Sequence, residues 1–139
     1  MGQAGGDVSE PPYGVGDASY RAAGGLEGIR RLVDSFYDFM ESLDEAQSIR
    51  KMHPSDMTKA RDKLTLFLSG WMNGPNIYRP KYGEINVPRA HSHLPIGLEE
   101  RDAWLLCMRR ALAEQSYPEG FREYLLRELS VPAERCRTR

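Results

Sequence analysis

An all-α fold is what this sequence predicts, and three observations predict it. Apolar residues recur at spacings of three and four along several long stretches. Residues that start and stop helices stand at the ends of those stretches. No stretch alternates apolar and polar residues for long enough to make a confident strand; "EINV" at 84–87 is too brief to carry a sheet. The 139 residues suit one domain with a single core.

At the start of the chain, residues 1–16 are rich in Gly, Pro and acid, which reads as a flexible N-terminal extension. "DASYRAAGG" reads as one short helix, capped by Asp17 and stopped by Gly24-Gly25. "LEGIRRLVDSFYDFMESL" carries the stripe Leu26, Ile29, Val33, Phe36 and Met40. Asp44 can cap a short helix, "EAQSIRKM", which His53-Pro54 breaks. In "SDMTKARDKLTLFLSGWM" the stripe is Met57, Ala60, Leu64, Phe67, Leu68 and Trp71. Gly74, Pro75, Pro80, Gly83 and Pro88 then exclude a regular helix from 73–88, and a loop that long in a small domain is usually functional. A helical turn over Arg89–His93 must stop near Pro95-Gly97. "LEERDAWLLCMRRALAEQ" puts Leu98, Trp104, Leu105, Met108 and Leu112 on one face. Ser116 and Pro118 start a last helix with Phe121, Tyr124, Leu125 and Leu129 inward. The main domain is thus 17–130, with a polar, frayed tail over 131–139.

Composition excludes several functions. A net charge of −1 argues against a nucleic-acid or membrane-surface partner. No run approaches the roughly 18 apolar residues of a membrane span. The N-terminus has neither the basic start nor the apolar block of a secretory signal. Gly6 occupies the place where a myristoylation signal has Ser or Thr. Cys107 and Cys136 make no disulfide framework, so free thiols and a cytoplasmic location are expected.

The chemistry left to this chain is narrow. There are three histidines, no Cys-x-x-Cys and no His-Glu-x-x-His. A structural zinc site needs three or four ligands. His91 and His93 cannot both face one point from a helix, since two residues turn it by about 200°. A haem asks less, because its porphyrin supplies four nitrogens and the protein one axial histidine. A lone histidine in a helical protein is ordinarily a surface or satisfied core residue, so histidine content alone leaves the role open.

The segments "SFYDFM", "GWMNGP" and above all "RAHSHLPIGLEERDAWLLCMRRAL" resemble the group II truncated haemoglobins, over about residues 13–130. That resemblance implies a two-over-two helical sandwich around one haem b, with a very short first helix and a mostly irregular proximal loop. It implies that His91, nine residues before Glu100, is the proximal iron ligand, and leaves His93 in a variable, solvent-facing place. Tyr37 and Trp104 align with the distal tyrosine and tryptophan, both able to donate a hydrogen bond to a diatomic ligand. His53 falls at the distal corner, where it can donate to the ligand, bind iron as a sixth ligand or cap the corner. Ala60 and Leu64 take the two distal-helix positions facing the iron, and no distal histidine stands there. Phe36, Phe67, Leu68, Ile96 and Met108 are expected as apolar walls. Lys63 and Arg89 are candidates to pair with the haem propionates and Tyr78 to hydrogen-bond to one, although a solvated charge is nearly as good a reading for any of them.

The implied function is binding of oxygen, nitric oxide and carbon monoxide. Two strong distal donors favour slow oxygen release and so redox chemistry toward nitric oxide or peroxide, with an electron donor the sequence does not name. The alternatives are a non-catalytic oxygen carrier, store or sensor, or a helical module that has lost haem. A monomer or weak homo-oligomer is expected.

Overall fold

The structure, a computed structural model, describes residues 12–139. All regular elements among them are helical: α1 (Ala18–Ala22), α2 (Gly25–Ser42), a 3-10 turn (Asp44–Ala46), α3 (Gln47–Arg50), α4 (Thr58–Trp71), α5 (Tyr78–Tyr82), α6 (Val87–Ala90), α7 (Leu98–Glu114) and α8 (Glu119–Arg135). α2 packs on both α4 and α7, and α7 packs on α8. The pairs α2/α4 and α7/α8 therefore form two layers with one core between them.

The stripes explain the packing. α2 buries Ile29, Leu32, Val33, Phe36, Tyr37 and Met40 on one face. Gly24 and Gly25 have φ of 92° and 69°, left-handed values that glycine adopts without steric cost. They turn the chain sharply between α1 and α2. Gly28 lets the turn close, because a Cβ there would lie 1.9 Å from the Ala23 carbonyl oxygen. The Tyr117 hydroxyl donates to that same oxygen at 2.7 Å, tying the corner to the α7–α8 connection.

Several expectations change. The α4 stripe splits: Met57 and Leu68 are buried in the core, whereas Ala60, Leu64 and Phe67 are half-buried along a cavity whose wall Leu68 also reaches. Leu98 does not join the inward face of α7; it is 51% exposed at the first position of the helix. The loop 73–88 contains α5, a single helical turn with Pro80 as its third residue, where no helical N–H partner is yet required. The tail does not begin at 131. α8 runs through Pro132 to Arg135, and the Thr138 amide donates to the Ile96 carbonyl at 2.7 Å. The expected extension also stops short of 16: Tyr13 stacks 4.9 Å from Phe121, and Asn73 Nδ2 donates to the Gly16 carbonyl. The rest of that extension, 1–11, lies outside the described residues.

Candidate functional site

A cavity of about 360 Å³ opens between α2, α4, α7, α8 and the irregular segment around α6. Its walls are largely apolar: Ile49, Met52, Ala60, Leu64, Phe67, Leu68, Val87, Leu94 and Ile96 among them. The polar groups that reach it are few. They are Tyr37, His53, Lys63, Tyr78, His91, Glu100, Arg101, Trp104 and the Cys136 thiol.

Each is placed by its element. His91 caps the C-terminus of α6, a helix that Asn86 opens by accepting the Arg89 N–H on its side chain. Its Nδ1 lies 2.7 Å from the Val87 carbonyl oxygen. A carbonyl only accepts, so Nδ1 carries the proton and Nε2 keeps its lone pair. That is the state in which imidazole binds a metal. His53 repeats the pattern, with Nδ1 2.9 Å from the Ile49 carbonyl oxygen. Burial is the main cause that pulls the His53 pKa below 6.5; the Ile49 carbonyl opposes it, and the charges of Arg50 and His91 add to it. Neutral His53 with Nδ1 so occupied offers Nε2 only as an acceptor. Of the three roles expected for His53, this arrangement suits an acceptor or a ligand through Nε2 better than a donor.

Tyr37 stands on the buried face of α2, 6% exposed. Burial pushes its phenol up to about 12, against a smaller opposite pull from Arg61, so it stays protonated at neutral pH. Its ring is edge-on to Phe36 at 5.0 Å and to His53 at 5.8 Å, and the Arg61 guanidinium lies 5.7 Å from its centre. Arg61 is itself held by Asp34 and Asp38, across from α4 to α2. Trp104 on α7 packs 5.0 Å from Phe36. Neither the Tyr37 hydroxyl nor the Trp104 indole N–H has a hydrogen-bond partner among the described residues. Both residues line the cavity, so their donors are free to meet a molecule bound there.

Most of the expected site residues line the cavity: Tyr37, His53, Ala60, Lys63, Leu64, Phe67, Leu68, Tyr78, His91, Ile96 and Trp104. Phe36, Met108 and Arg89 do not. Phe36 and Met108 are fully buried in the packed core, where Phe36 backs both Tyr37 and Trp104, and neither faces the cavity. Arg89 is exposed on α6 and lies outside the lining. His93 is exposed. Tyr78 owes its place to α5, which Asp62 holds to α4 by accepting from Tyr82 Oη at 2.6 Å and Lys81 Nζ at 2.8 Å.

Sequence reasoning misses Ile49 and Met52 at the corner and, past the inward Leu129, the cavity-lining Pro132 and Ala133 of α8 and Cys136 at its end. The signal is present, since positions 129, 132, 133 and 136 fall on one helical face. Reading the whole end of the chain as a polar tail hides it.

The donor set fits a haem. Among the described residues no group of three or more His, Cys, Asp or Glu converges to hold a bare metal ion. One imidazole with a free Nε2, in an apolar cavity with few polar groups, suits a cofactor that brings its own nitrogens. A two-layer helical chain with such a cavity is a globin-type architecture.

Comparison with known proteins agrees. The pattern of the bacterial-like globin family matches residues 18–135. The group 2 truncated hemoglobin YjbI of Bacillus subtilis (strain 168) is 32% identical over 117 residues, 84% of this chain and 86% of the relative. The group II 2-on-2 hemoglobin from Agrobacterium tumefaciens superposes with a TM-score of 0.80 at 36% identity, covering 86% of this chain and 92% of that one. The truncated oxygen-avid haemoglobin from Bacillus subtilis gives 0.78 at 31% identity, covering 86% and 98%. The chain belongs to the bacterial-like globin family, as a group II truncated haemoglobin, and is a haem protein that binds oxygen.

Proposed function

We propose that His91 would hold a haem b through Nε2, and that Tyr37 and Trp104, which line the same cavity, would hold a diatomic ligand for reaction with nitric oxide. The two partnerless donors in the cavity carry this reading. When bound, haem iron supplies a site for oxygen, nitric oxide or carbon monoxide and one-electron redox chemistry.

The chain's residues do the rest. The Val87 carbonyl fixes the His91 ring and its tautomer. Tyr37 and Trp104 present O–H and N–H to the ligand; indole is donor-only and the phenol is protonated, so both stabilise developing negative charge. His53, an acceptor at Nε2, can take a hydrogen bond from water. Ala60 leaves space beside the ligand, and Leu64 and Phe67 keep the cavity apolar. Lys63 and Tyr78 line the cavity and would be the groups to pair with the haem propionates. Arg61 beside Tyr37 sharpens the phenol as a donor.

Slow release of oxygen suits reaction better than delivery. Oxidation of nitric oxide by oxygen to nitrate leaves the protein one electron short for each turnover, which an external one-electron reductant restores. A cytoplasmic setting with reduced thiols accords with free Cys107 and Cys136. No helix among the described residues is long and apolar enough to cross a membrane.

The test mixes the oxygenated ferrous protein with a stoichiometric amount of nitric oxide and measures nitrate. Near-quantitative nitrate supports the reading. Recovery of unreacted nitric oxide, with oxygen released unchanged, contradicts it.

A further inference from the structure

The segment that carries His91 has little structure of its own. α6 is four residues long, far below the length at which a helix is stable by itself. Residues 92–97 contain no helix before α7 begins at Leu98. Within the segment, the Leu94 N–H donates to the His91 carbonyl at 3.0 Å and the Ile96 N–H to the Leu94 carbonyl at 3.0 Å. These bonds turn the chain without anchoring it to the helical layers.

The anchor is at Thr138. Its hydroxyl donates to the Leu94 carbonyl at 2.5 Å and accepts from the Ile96 N–H at 2.9 Å. Its own amide donates to the Ile96 carbonyl at 2.7 Å, an oxygen the Arg139 amide shares at 3.2 Å. Ile96 is 9% exposed and lines the cavity, so its amide has little water to fall back on. Thr138 stands just beyond α8, whose last turns line the same cavity. Glu134 binds that end to α7 through Arg101 at 2.5 Å and to Arg137 at 2.9 Å. The path from the helical layers to His91 is therefore short: α8, Thr138, Leu94, the His91 carbonyl.

We propose that Thr138 is a positioning residue for His91: by clasping Leu94 and Ile96 it holds the histidine-bearing segment in place, and so governs how firmly the haem is retained and how the His91 ring meets the iron. The proposal rests on the reading of His91 as the iron ligand.

The side chain uses both roles of its hydroxyl. Valine has the same shape and neither role; serine has both. The experiment compares wild type, Thr138→Val and Thr138→Ser as ferrous, unliganded holoproteins. It reads the iron–histidine stretching band by resonance Raman and the rate of haem transfer to an excess of a haem-free acceptor globin. Thr138→Val should shift or broaden the band and release haem roughly three- to tenfold faster, the range expected for losing one or two net hydrogen bonds. Thr138→Ser should restore both. A Thr138→Val protein that melts earlier yet keeps the wild-type band and release rate overturns the clasp and leaves a merely structural threonine. A wild type with no iron–histidine band removes the reading of His91 and the clasp with it.

Discussion

The two walls of the cavity are built differently. Tyr37 and Trp104 stand on α2 and α7, helices of 18 and 17 residues whose buried faces fill the core. His91 stands on four residues of helix between a Gly/Pro-rich loop and an irregular turn. One wall inherits its geometry from packing, where a displaced ring would have to move Phe36 with it. The other is tied by individual hydrogen bonds: Val87 to the ring, Asn86 to α6, and Thr138 to Leu94 and Ile96. Donors that must meet a small ligand within hydrogen-bond distance gain from the rigid wall. On the reading proposed for His91, a bulky cofactor would be received by the wall held through single hydrogen bonds rather than by packing.

Substitutions can break this contrast. The largest effect on stability is expected behind the rigid wall. Phe36→Ala should cost about 3–5 kcal/mol, whereas Val87→Ala, half-buried on α6, should cost about 1 kcal/mol. Chemical denaturation of both variants checks it, and equal losses would dissolve the distinction. Next is function at the same wall. Tyr37→Phe should release oxygen roughly 10- to 100-fold faster, as for a hydrogen bond to a charge-bearing ligand, and Trp104→Phe about three- to tenfold faster. Stopped-flow dissociation measures both; unchanged rates would mean that the two donors do not reach the ligand.

Not everything in the molecule is equally readable from the chain. The long helices are legible because a striped helix states its own burial, as in α2. Tyr37, Trp104, His53 and His91 as a set come from resemblance, because nothing local distinguishes a core tyrosine from one facing a ligand. The division of the α4 stripe is hidden, since Ala60, Leu64 and Phe67 look the same whether they face core or cavity. The position of Thr138 is hidden for another reason. Its partners lie 42 and 44 residues away in the chain, and a polar residue near the end of a helix reads as solvent-exposed. Pro80 looks like a breaker in sequence, yet it sits in the first turn of α5, where a missing N–H matters less.

Smaller effects sharpen the picture. Burial holds the His53 pKa below its ordinary 6.5. The unfolded chain therefore binds the proton more readily than the folded one, and stability rises with pH through the window between the two values. As pH falls below 6.5, the melting temperature of the carbon monoxide complex should fall in wild type and less so in His53→Gln. Identical slopes would place His53 in water. The smallest expectation is no effect at all: Cys107 is buried and Cys136 half-buried, both free, so reductant should change neither mass nor melting temperature.

Everything proposed for the cavity depends on His91. The direct measurement is the absorption spectrum, across the Soret and visible bands, of wild type and His91→Ala expressed with a haem precursor. A strong Soret band in wild type, weakened or shifted in the variant, is the predicted result. A wild type that takes up no haem, or a variant whose spectrum is unchanged, would contradict His91 as the residue that holds the iron.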